Sequence, residues 1–175
     1  MDRVLSACGD AAVFAHRDAS CFLFLLVHSK SAESVWLQLQ SDRRPYLMSF
    51  WYRPPAPGDC TGIYMLQAEH DHLSHLAIGT ILVGDLNVHH KPGLRHSACP
   101  TAQENALLQF CDTYGFEKHV GLPTRSPNLL DLVLSDLDSF VSTKAFPKVA
   151  DRKLVLITIA FSVSRLKTVP RELWV

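Results

Sequence analysis

Polar side chains that could do chemistry follow a buried strand in the middle of the chain. Residues 80–83, three of them β-branched, predict that strand, and Gly84, which has no Cβ, is predicted to end it with a turn. Asp85 and Asn87 come next, so a carboxylate and an amide lie where open α/β sheets bind ligands, at the carboxyl end of a strand. Asp and Asn are also ordinary turn residues, and these positions alone leave a polar turn as an equal alternative.

Two further apolar segments carry polar groups. Residues 46–52 predict an aromatic-rich strand that stops before two consecutive prolines, because proline cannot donate to a strand ladder. The end of this strand presents Tyr52 and Arg53. Asp131 interrupts the apolar run Leu-Leu-Asp-Leu-Val-Leu, which predicts another buried strand. A buried carboxylate is expensive unless it is paired, so Asp131 is predicted to have a partner.

The elements that must position these side chains are mostly strands. A loose apolar pattern predicts one helix near residues 61–76, and a second helix has capping-box spacing between Thr101 and Glu104 and a stop at Gly115. Mixed strands with only two helices predict an α+β fold, a sheet-rich sandwich rather than a regular βαβ wheel. Further strands are predicted at residues 11–15, 21–28, 34–39, 116–120, 129–134, 145–149 and 153–163.

Composition predicts one globular domain in a reducing compartment. The chain has 175 residues, 47% of them hydrophobic, and 17 basic residues balance 17 acidic ones. With a net charge of zero, the chain has no overall electrostatic attraction to nucleic acid, so any contact with DNA is expected to be local. Five widely spaced cysteines without a Cys-x-x-Cys pair argue against a disulfide framework and a zinc site. We therefore expect a nuclear or cytoplasmic protein, with no membrane-spanning or targeting segment.

Five short motifs, taken in chain order, resemble the endonuclease/exonuclease/phosphatase family. More narrowly, they are similar to the apurinic-type endonuclease domain that precedes the reverse transcriptase in non-LTR retrotransposons. The resemblance runs from about Gly9 to the end of the chain, where Arg-Glu-Leu-Trp is similar to the segment that leads into the polymerase. The motifs are Tyr52-Arg53-Pro54-Pro55, Gly84-Asp85-Leu86-Asn87, Pro123-Thr124-Arg125 with Asn128, Leu130-Asp131-Leu132-Val133-Leu134 and Ala150-Asp151-Arg152.

The resemblance implies a DNase I-like four-layer α/β sandwich that cleaves a DNA phosphodiester with Mg²⁺, or alternatively Mn²⁺. Asp85 then matches the carboxylate that orients or deprotonates the attacking water, and Asn87 and Tyr52 match residues that hold the phosphate. Magnesium suits such a site because it binds one or two carboxylates and keeps several waters. DNA is the implied partner, together with a reverse transcriptase in the parent protein.

The remaining motif residues also acquire expected roles from the resemblance. Thr124 lies in the loop expected to contact DNA, and Arg53 and Asn128 are expected to bind substrate. Asp131 matches the aspartate that fixes the tautomer of a catalytic histidine. Asp151 matches the aspartate of a Ser-Asp-His signature, at or near the metal. Residues 1–163 are expected to form the endonuclease domain, and residues 164–175 to begin a linker toward a downstream domain.

The chain departs from the family pattern in two places. The signature histidine is Arg152, which stays protonated at physiological pH and cannot exchange a proton as imidazole does. The family's N-terminal strand and the glutamate that is its chief metal ligand have no counterpart in residues 1–8, so the domain is expected to be N-terminally truncated. Glu33 and His119 are interpreted as surface residues. We predict greatly reduced turnover; the alternative is a catalytically dead, truncated or domesticated fragment that binds nucleic acid or protein.

Overall fold

The computed structural model describes residues 3–8, 11–15, 23–29, 33–40, 45–56, 58–90, 101–121, 129–137, 141–149 and 152–160. Two α-helices are described, α1 (Thr61–Leu73) and α2 (Ala102–Tyr114), and a short 3₁₀ helix (Ser74–Leu76) follows α1. The described strands are β1 (Arg3–Cys8), β2 (Ala11–Ala15), β3 (Leu23–Ser29), β4 (Ser34–Leu39), β5 (Tyr46–Tyr52), β6 (Thr80–His90), β7 (Glu117–Lys118), β8 (Leu129–Ser135), β9 (Val141–Val149) and β10 (Arg152–Ile159).

A six-stranded mixed sheet is the centre of the described structure. Its strand order is β3-β4-β5-β6-β8-β7. Strands β5 and β6 run parallel because α1 connects them as a crossover, and every other neighbouring pair in this sheet is antiparallel. Two antiparallel hairpins, β1-β2 and β9-β10, form separate two-stranded sheets.

Side-chain alternation along the strands separates the two faces of the six-stranded sheet. On one face, the Ser34 hydroxyl and the Trp36 indole each donate to Oε2 of Glu69 in α1, both at 2.7 Å. On the other face, Val35 packs in a cluster with Val13 of β2. The helices therefore cover one face, and the β1-β2 hairpin lies against the other.

Both predicted helices are present, and each buries one apolar face. In α2 the predicted capping box is confirmed: the Thr101 hydroxyl accepts from the Glu104 N–H at 3.1 Å, and the Glu104 carboxylate accepts from the Thr101 N–H at 3.4 Å. Gly115 ends α2 in the left-handed conformation with φ +70°, as predicted. The buried faces consist of Ile63, Leu66 and Leu73 in α1, and Ala106, Leu107 and Phe110 in α2. None of the helices in the described ranges is long and apolar enough to cross a membrane.

The α+β class is confirmed, and the described elements form three of the four expected layers: helices, the six-stranded sheet and the hairpins. Strands β4 and β5 have the predicted bounds, whereas β1 was not predicted and β9 begins four residues early, at Val141. The prediction that Gly84 ends its strand is wrong, because β6 continues to His90. Gly84 instead permits close contact between strands, since a Cβ there would lie 1.9 Å from the carbonyl oxygen of Trp51.

Candidate active site

Three of the predicted site residues lie in one row across adjacent strands. Tyr52 at the end of β5 pairs with Asp85 of β6, and Asp85 pairs in turn with Asp131 of β8. Residues directly opposite each other on neighbouring strands point to the same face of a sheet. All three are half-buried. Because neighbouring strands lie about 5 Å apart, the row brings a phenol and two carboxylates within about 10 Å.

The row lies on the sheet face that is turned away from the helices. Phe50, two residues before Tyr52, belongs to the cluster formed with Val13 of β2, so alternation puts Tyr52 on that face as well. Neighbouring residues of opposite parity lie on the helix side: Trp51 is next to Gly62 of α1, and Leu132 lines a small cavity together with Leu66 of α1. The candidate site therefore lies on the inner face of the sandwich, where β5 ends, beside the middle of β6 and the first half of β8.

Asn87 orients the carboxylate of Asp85 and fixes the end of β5. Its backbone N–H donates to Oδ1 of Asp85 at 3.3 Å, and its side-chain amide donates to the carbonyl oxygen of Arg53 at 2.8 Å. Asn87 has φ +44°, and the β6–β8 register shifts between Asp85 and His90, as in a β-bulge. The predicted contact of Asn87 with a phosphate stays a prediction, because its amide nitrogen here bonds the protein backbone.

The buried side chain of Arg53 holds the loop after β5 in place by bonding backbone carbonyls. The residue is only 4% exposed, and its guanidinium donates to the carbonyl oxygens of Leu86 at 3.0 Å, Ala56 at 3.3 Å and Asp59 at 2.8 Å. The buried side chain of Gln103 in α2 donates to the last two carbonyls as well. This geometry gives Arg53 a positioning role, and direct contact with substrate stays a prediction.

A groove of about 200 Å³ opens beside Tyr52. Glu33, at the turn before β4, is one of the residues that line the groove. Its backbone has φ +47°, and its carbonyl oxygen accepts a hydrogen bond from the Tyr52 N–H at 3.1 Å. Asp59 also lines the groove, and hydrogen bonds from the Thr61 side chain and backbone hold the pKa of Asp59 below its ordinary value. The interpretation of Glu33 as a surface residue is therefore wrong: it is half-buried and shapes the end of β5. No sequence signal indicates its positive φ.

The remaining predicted residues are not brought into this geometry. Thr124, Asn128 and Asp151 lie outside the described residues, and Arg152 is described only as the first backbone position of β10, opposite Val149. Within the described ranges, no three His, Cys, Asp or Glu side chains converge into a set that could bind a metal. The described donor set still fits magnesium at Asp85, since this ion needs only one or two protein carboxylates.

His119 also differs from the sequence-based interpretation. It was assigned to the surface, but it is half-buried next to β8, and its Nε2 is a buried atom without a hydrogen-bond partner among the described residues. Its backbone N–H donates to the carbonyl oxygen of Val133 at 2.9 Å. The sequence gives no signal for this position, because its burial depends on strands that are distant in the chain.

Comparison with known proteins finds similarity in structure and none in sequence. No protein family and no curated protein matches the sequence. Among solved structures, the fold matches proteins of the endonuclease/exonuclease/phosphatase type. One is the endonuclease domain of TRAS1, a telomere-specific non-LTR retrotransposon, with a TM-score of 0.67 at 14% identity over 95% of this chain and 81% of that one. This likeness shows that the chain has a DNase I-like, nuclease-like fold.

Two other solved structures match less closely. The human nocturnin catalytic domain has a TM-score of 0.49 at 14% identity, over 74% of this chain and 52% of that one. A mannosyl-6-phosphatase of Bacteroides thetaiotaomicron has a TM-score of 0.49 at 12% identity, over 73% of this chain and 56% of that one.

Proposed function

We propose that the chain is a Mg²⁺-dependent DNA endonuclease domain of the non-LTR retrotransposon type, impaired by Arg152. The observation that carries the proposal is the row formed by Tyr52, Asp85 and Asp131 on one face of three adjacent strands. The likeness in fold to the TRAS1 endonuclease domain supports it. A phenol and two carboxylates on one face of a sheet can serve phosphodiester hydrolysis, as a donor for the phosphate and a base for water.

Each member of the row has a task in this proposal. The carboxylate of Asp85 orients the attacking water and accepts its proton, and the Asn87 N–H at 3.3 Å keeps that carboxylate in place. The Tyr52 hydroxyl donates to a phosphate oxygen, which stabilises the charge that develops in the transition state. Asp131 stands opposite Asp85 and sets the electrostatics of the inner face.

Magnesium would be held by Asp85 or Asp151, because both supply the carboxylate oxygens that this ion prefers. When bound, the ion supplies Lewis-acid polarisation of the phosphoryl oxygen. The protein's own contribution is the fixed row of side chains and the sheet that positions it.

Arg152 is the reason for proposing impairment. A guanidinium stays protonated, so it can attract a phosphate but cannot exchange a proton near neutral pH. The residue begins β10 directly after Asp151. The proposed site thus keeps the row of Tyr52, Asp85 and Asp131 but lacks a histidine that could exchange a proton at position 152.

Nicking of supercoiled plasmid in Mg²⁺ tests the proposal. We expect slow nicking by the purified chain, faster nicking by Arg152→His, and none by Asp85→Ala. Asp71→Asn is the matched control, because Asp71 is exposed on α1, on the other side of the sheet, and bonds Tyr114. If no folded version nicks, or if Asp85→Ala nicks as fast as the chain itself, the proposed activity is wrong.

A second candidate function is a DNA-binding module without turnover. Arg152 favours it, since an arginine in place of a histidine keeps a cation for phosphate and removes the proton exchange. Binding of a short labelled duplex without nicking, lost in Arg152→Ala, would select this candidate.

A further inference from the structure

The outer face of the β9–β10 hairpin carries apolar side chains where strands that face water usually carry polar ones. The inward positions of β10, which are Val155, Ile157 and Ile159, pack against the core. An antiparallel sheet with one buried face normally alternates apolar and polar residues. The outward positions of β10 nevertheless include Leu154, which is 57% exposed, and Leu156, which is 51% exposed. A partner that covers these leucines removes apolar surface from water, which favours binding.

A third exposed apolar residue lies beside the two leucines. Phe146 of β9 is 38% exposed, and a shift in the β9–β10 register sets residues 146–147 opposite Leu154. Lys144 pairs with Leu156, and its ammonium group lies 5.3 Å from the centre of the Phe146 ring. Contiguous exposed apolar side chains with a polar rim mark binding surfaces, whereas single ones do not. We call Phe146, Leu154 and Leu156 the hairpin patch.

The hairpin is positively charged, although the chain as a whole is neutral. Its two strands contain four basic residues and no acidic one: Lys144, Lys148, Arg152 and Lys153. With Asp151 in the turn between the strands, residues 141–160 carry a net charge of +3. The exposed Lys144 lies at the rim of the hairpin patch. A partner with negative charge therefore complements this face.

Charge argues against two occupants that the chain itself could supply. A second copy would bring an equally basic hairpin, and like charges that face each other oppose association. The segments of seven residues or more outside the described residues are 16–22, 91–100, 122–128 and 161–175, and the net charge of each is zero or positive. The occupant that the charges favour is therefore a separate, acidic molecule.

The composition of the hairpin patch favours a helix over nucleic acid. A helix covers the face of a sheet with an apolar stripe, whereas an added strand pairs with the edge of a sheet. A nucleic-acid strand offers phosphates and base faces, and its bases stack on aromatic rings, but two of the three patch residues are leucines. An amphipathic helix can cover leucines with its apolar stripe and place acidic residues beside Lys144.

We propose that the hairpin patch docks an acidic amphipathic helix of a partner protein. The apolar stripe of that helix covers Leu154, Leu156 and Phe146, and carboxylates on its flank pair with Lys144. This surface is the outer face of the β9–β10 hairpin, whereas the candidate active site lies on the six-stranded sheet. The docking therefore does not depend on nuclease activity.

Binding of a synthetic peptide tests the proposal. The peptide has about 20 residues, with leucines recurring at positions i, i+3, i+4 and i+7 and with glutamate and alanine elsewhere. It is titrated into the full chain, which is labelled with ¹³C at the leucine methyl groups. We expect the signals of Leu154 and Leu156 to shift and saturate, while Leu76, which is 39% exposed in the 3₁₀ helix, keeps its signals in place. Unchanged signals of Leu154 and Leu156 would overturn the proposal.

Two comparisons test the apolar contact and the charge separately. Leu154→Gln/Leu156→Gln should weaken peptide binding by at least about tenfold because the leucine surface is lost, whereas Leu76→Gln should leave binding unchanged. A peptide with lysine in place of each glutamate requires no variant of the chain and should bind at least about tenfold more weakly. Equal binding by the two variants, or equal binding of the two peptides, would refute the proposal.

Other occupants of the hairpin patch would give different results, each of which contradicts the proposal. If the chain alone sediments as a dimer that Leu154→Gln/Leu156→Gln dissociates, the occupant is a second copy. If the Leu154 and Leu156 signals respond to single-stranded oligothymidine or to phosphatidylserine vesicles but not to the acidic peptide, the occupant is nucleic acid or a membrane surface. None of these measurements uses nicking, so failure of this proposal and failure of the nuclease proposal are separate results.

Discussion

An alanine at position 84 would place its Cβ 1.9 Å from the carbonyl oxygen of Trp51, a separation that real Cβ atoms do not show. To remove this overlap, β5 and β6 must move apart by at least about 1 Å, because neither the added Cβ nor the carbonyl oxygen is at the end of a flexible side chain. Overpacking of this kind costs about 1–3 kcal/mol, and we expect the upper half of that range because the obstacle is backbone. Gly84→Ala should therefore lose about 2–3 kcal/mol of unfolding free energy.

Urea unfolding followed by circular dichroism measures this loss. With a slope of about 2 kcal/mol per molar urea, the midpoint should fall by about 1 M. Gly121→Ala is the matched control, since a Cβ there meets nothing within 4 Å, and it should change stability by less than about 0.5 kcal/mol. Tyr52 and Asp85 directly follow Trp51 and Gly84, so strands that move apart also displace these two side chains. The nicking rate of Gly84→Ala should therefore fall by more than the lost unfolding free energy alone explains. A Gly84→Ala chain as stable as Gly121→Ala would refute the reasoning about close strand contact.

Two further predictions concern stability. Arg53→Met removes hydrogen bonds to three backbone carbonyls, but Gln103 still donates to those of Ala56 and Asp59, so the loss falls mainly on the Leu86 carbonyl. The variant should lose about 1–3 kcal/mol in the same unfolding assay, whereas Lys118→Met, at an exposed position, should lose little; equal losses would contradict the positioning role. Burial lowers the pKa of His70 below its ordinary value of 6.5, so the unfolded chain binds more protons than the folded one as pH falls through 6.5, and the unfolding free energy should decrease from pH 7 to pH 5. His70→Phe should flatten that pH dependence, and an unchanged slope would show that His70 does not cause it.

The sequence predicts elements well where the signals are local. Alternation predicts β4, two prolines after an aromatic-rich run predict the end of β5, and the spacing of Thr101, Glu104 and Gly115 gives both ends of α2, because caps are local interactions. These elements need no knowledge of distant contacts.

The sequence fails where pairing between strands overrides local preference. Gly84 is a turn residue by type, yet β6 runs through it because Trp51 of β5 and Leu132 of β8 pair with it on either side. The same pairing aligns Tyr52, Asp85 and Asp131, an arrangement that no single motif contains.

Roles that depend on the whole fold were also missed. The carbonyls that accept from Arg53 come from Ala56, Asp59 and Leu86, and only folding brings them together. His119 becomes half-buried through β8 and β9, which follow it in the chain by ten residues or more.

The comparison that tests the central claim most directly is plasmid nicking by Arg152→His beside the double variant Arg152→His/Asp85→Ala, with and without Mg²⁺. Restoring the histidine removes the one substitution that we hold responsible for impairment, so the result depends on the row of Tyr52, Asp85 and Asp131. We predict Mg²⁺-dependent nicking by Arg152→His that the Asp85→Ala change abolishes. Equal nicking by the two folded variants, or none by Arg152→His, would contradict the assignment of this row as a nuclease site.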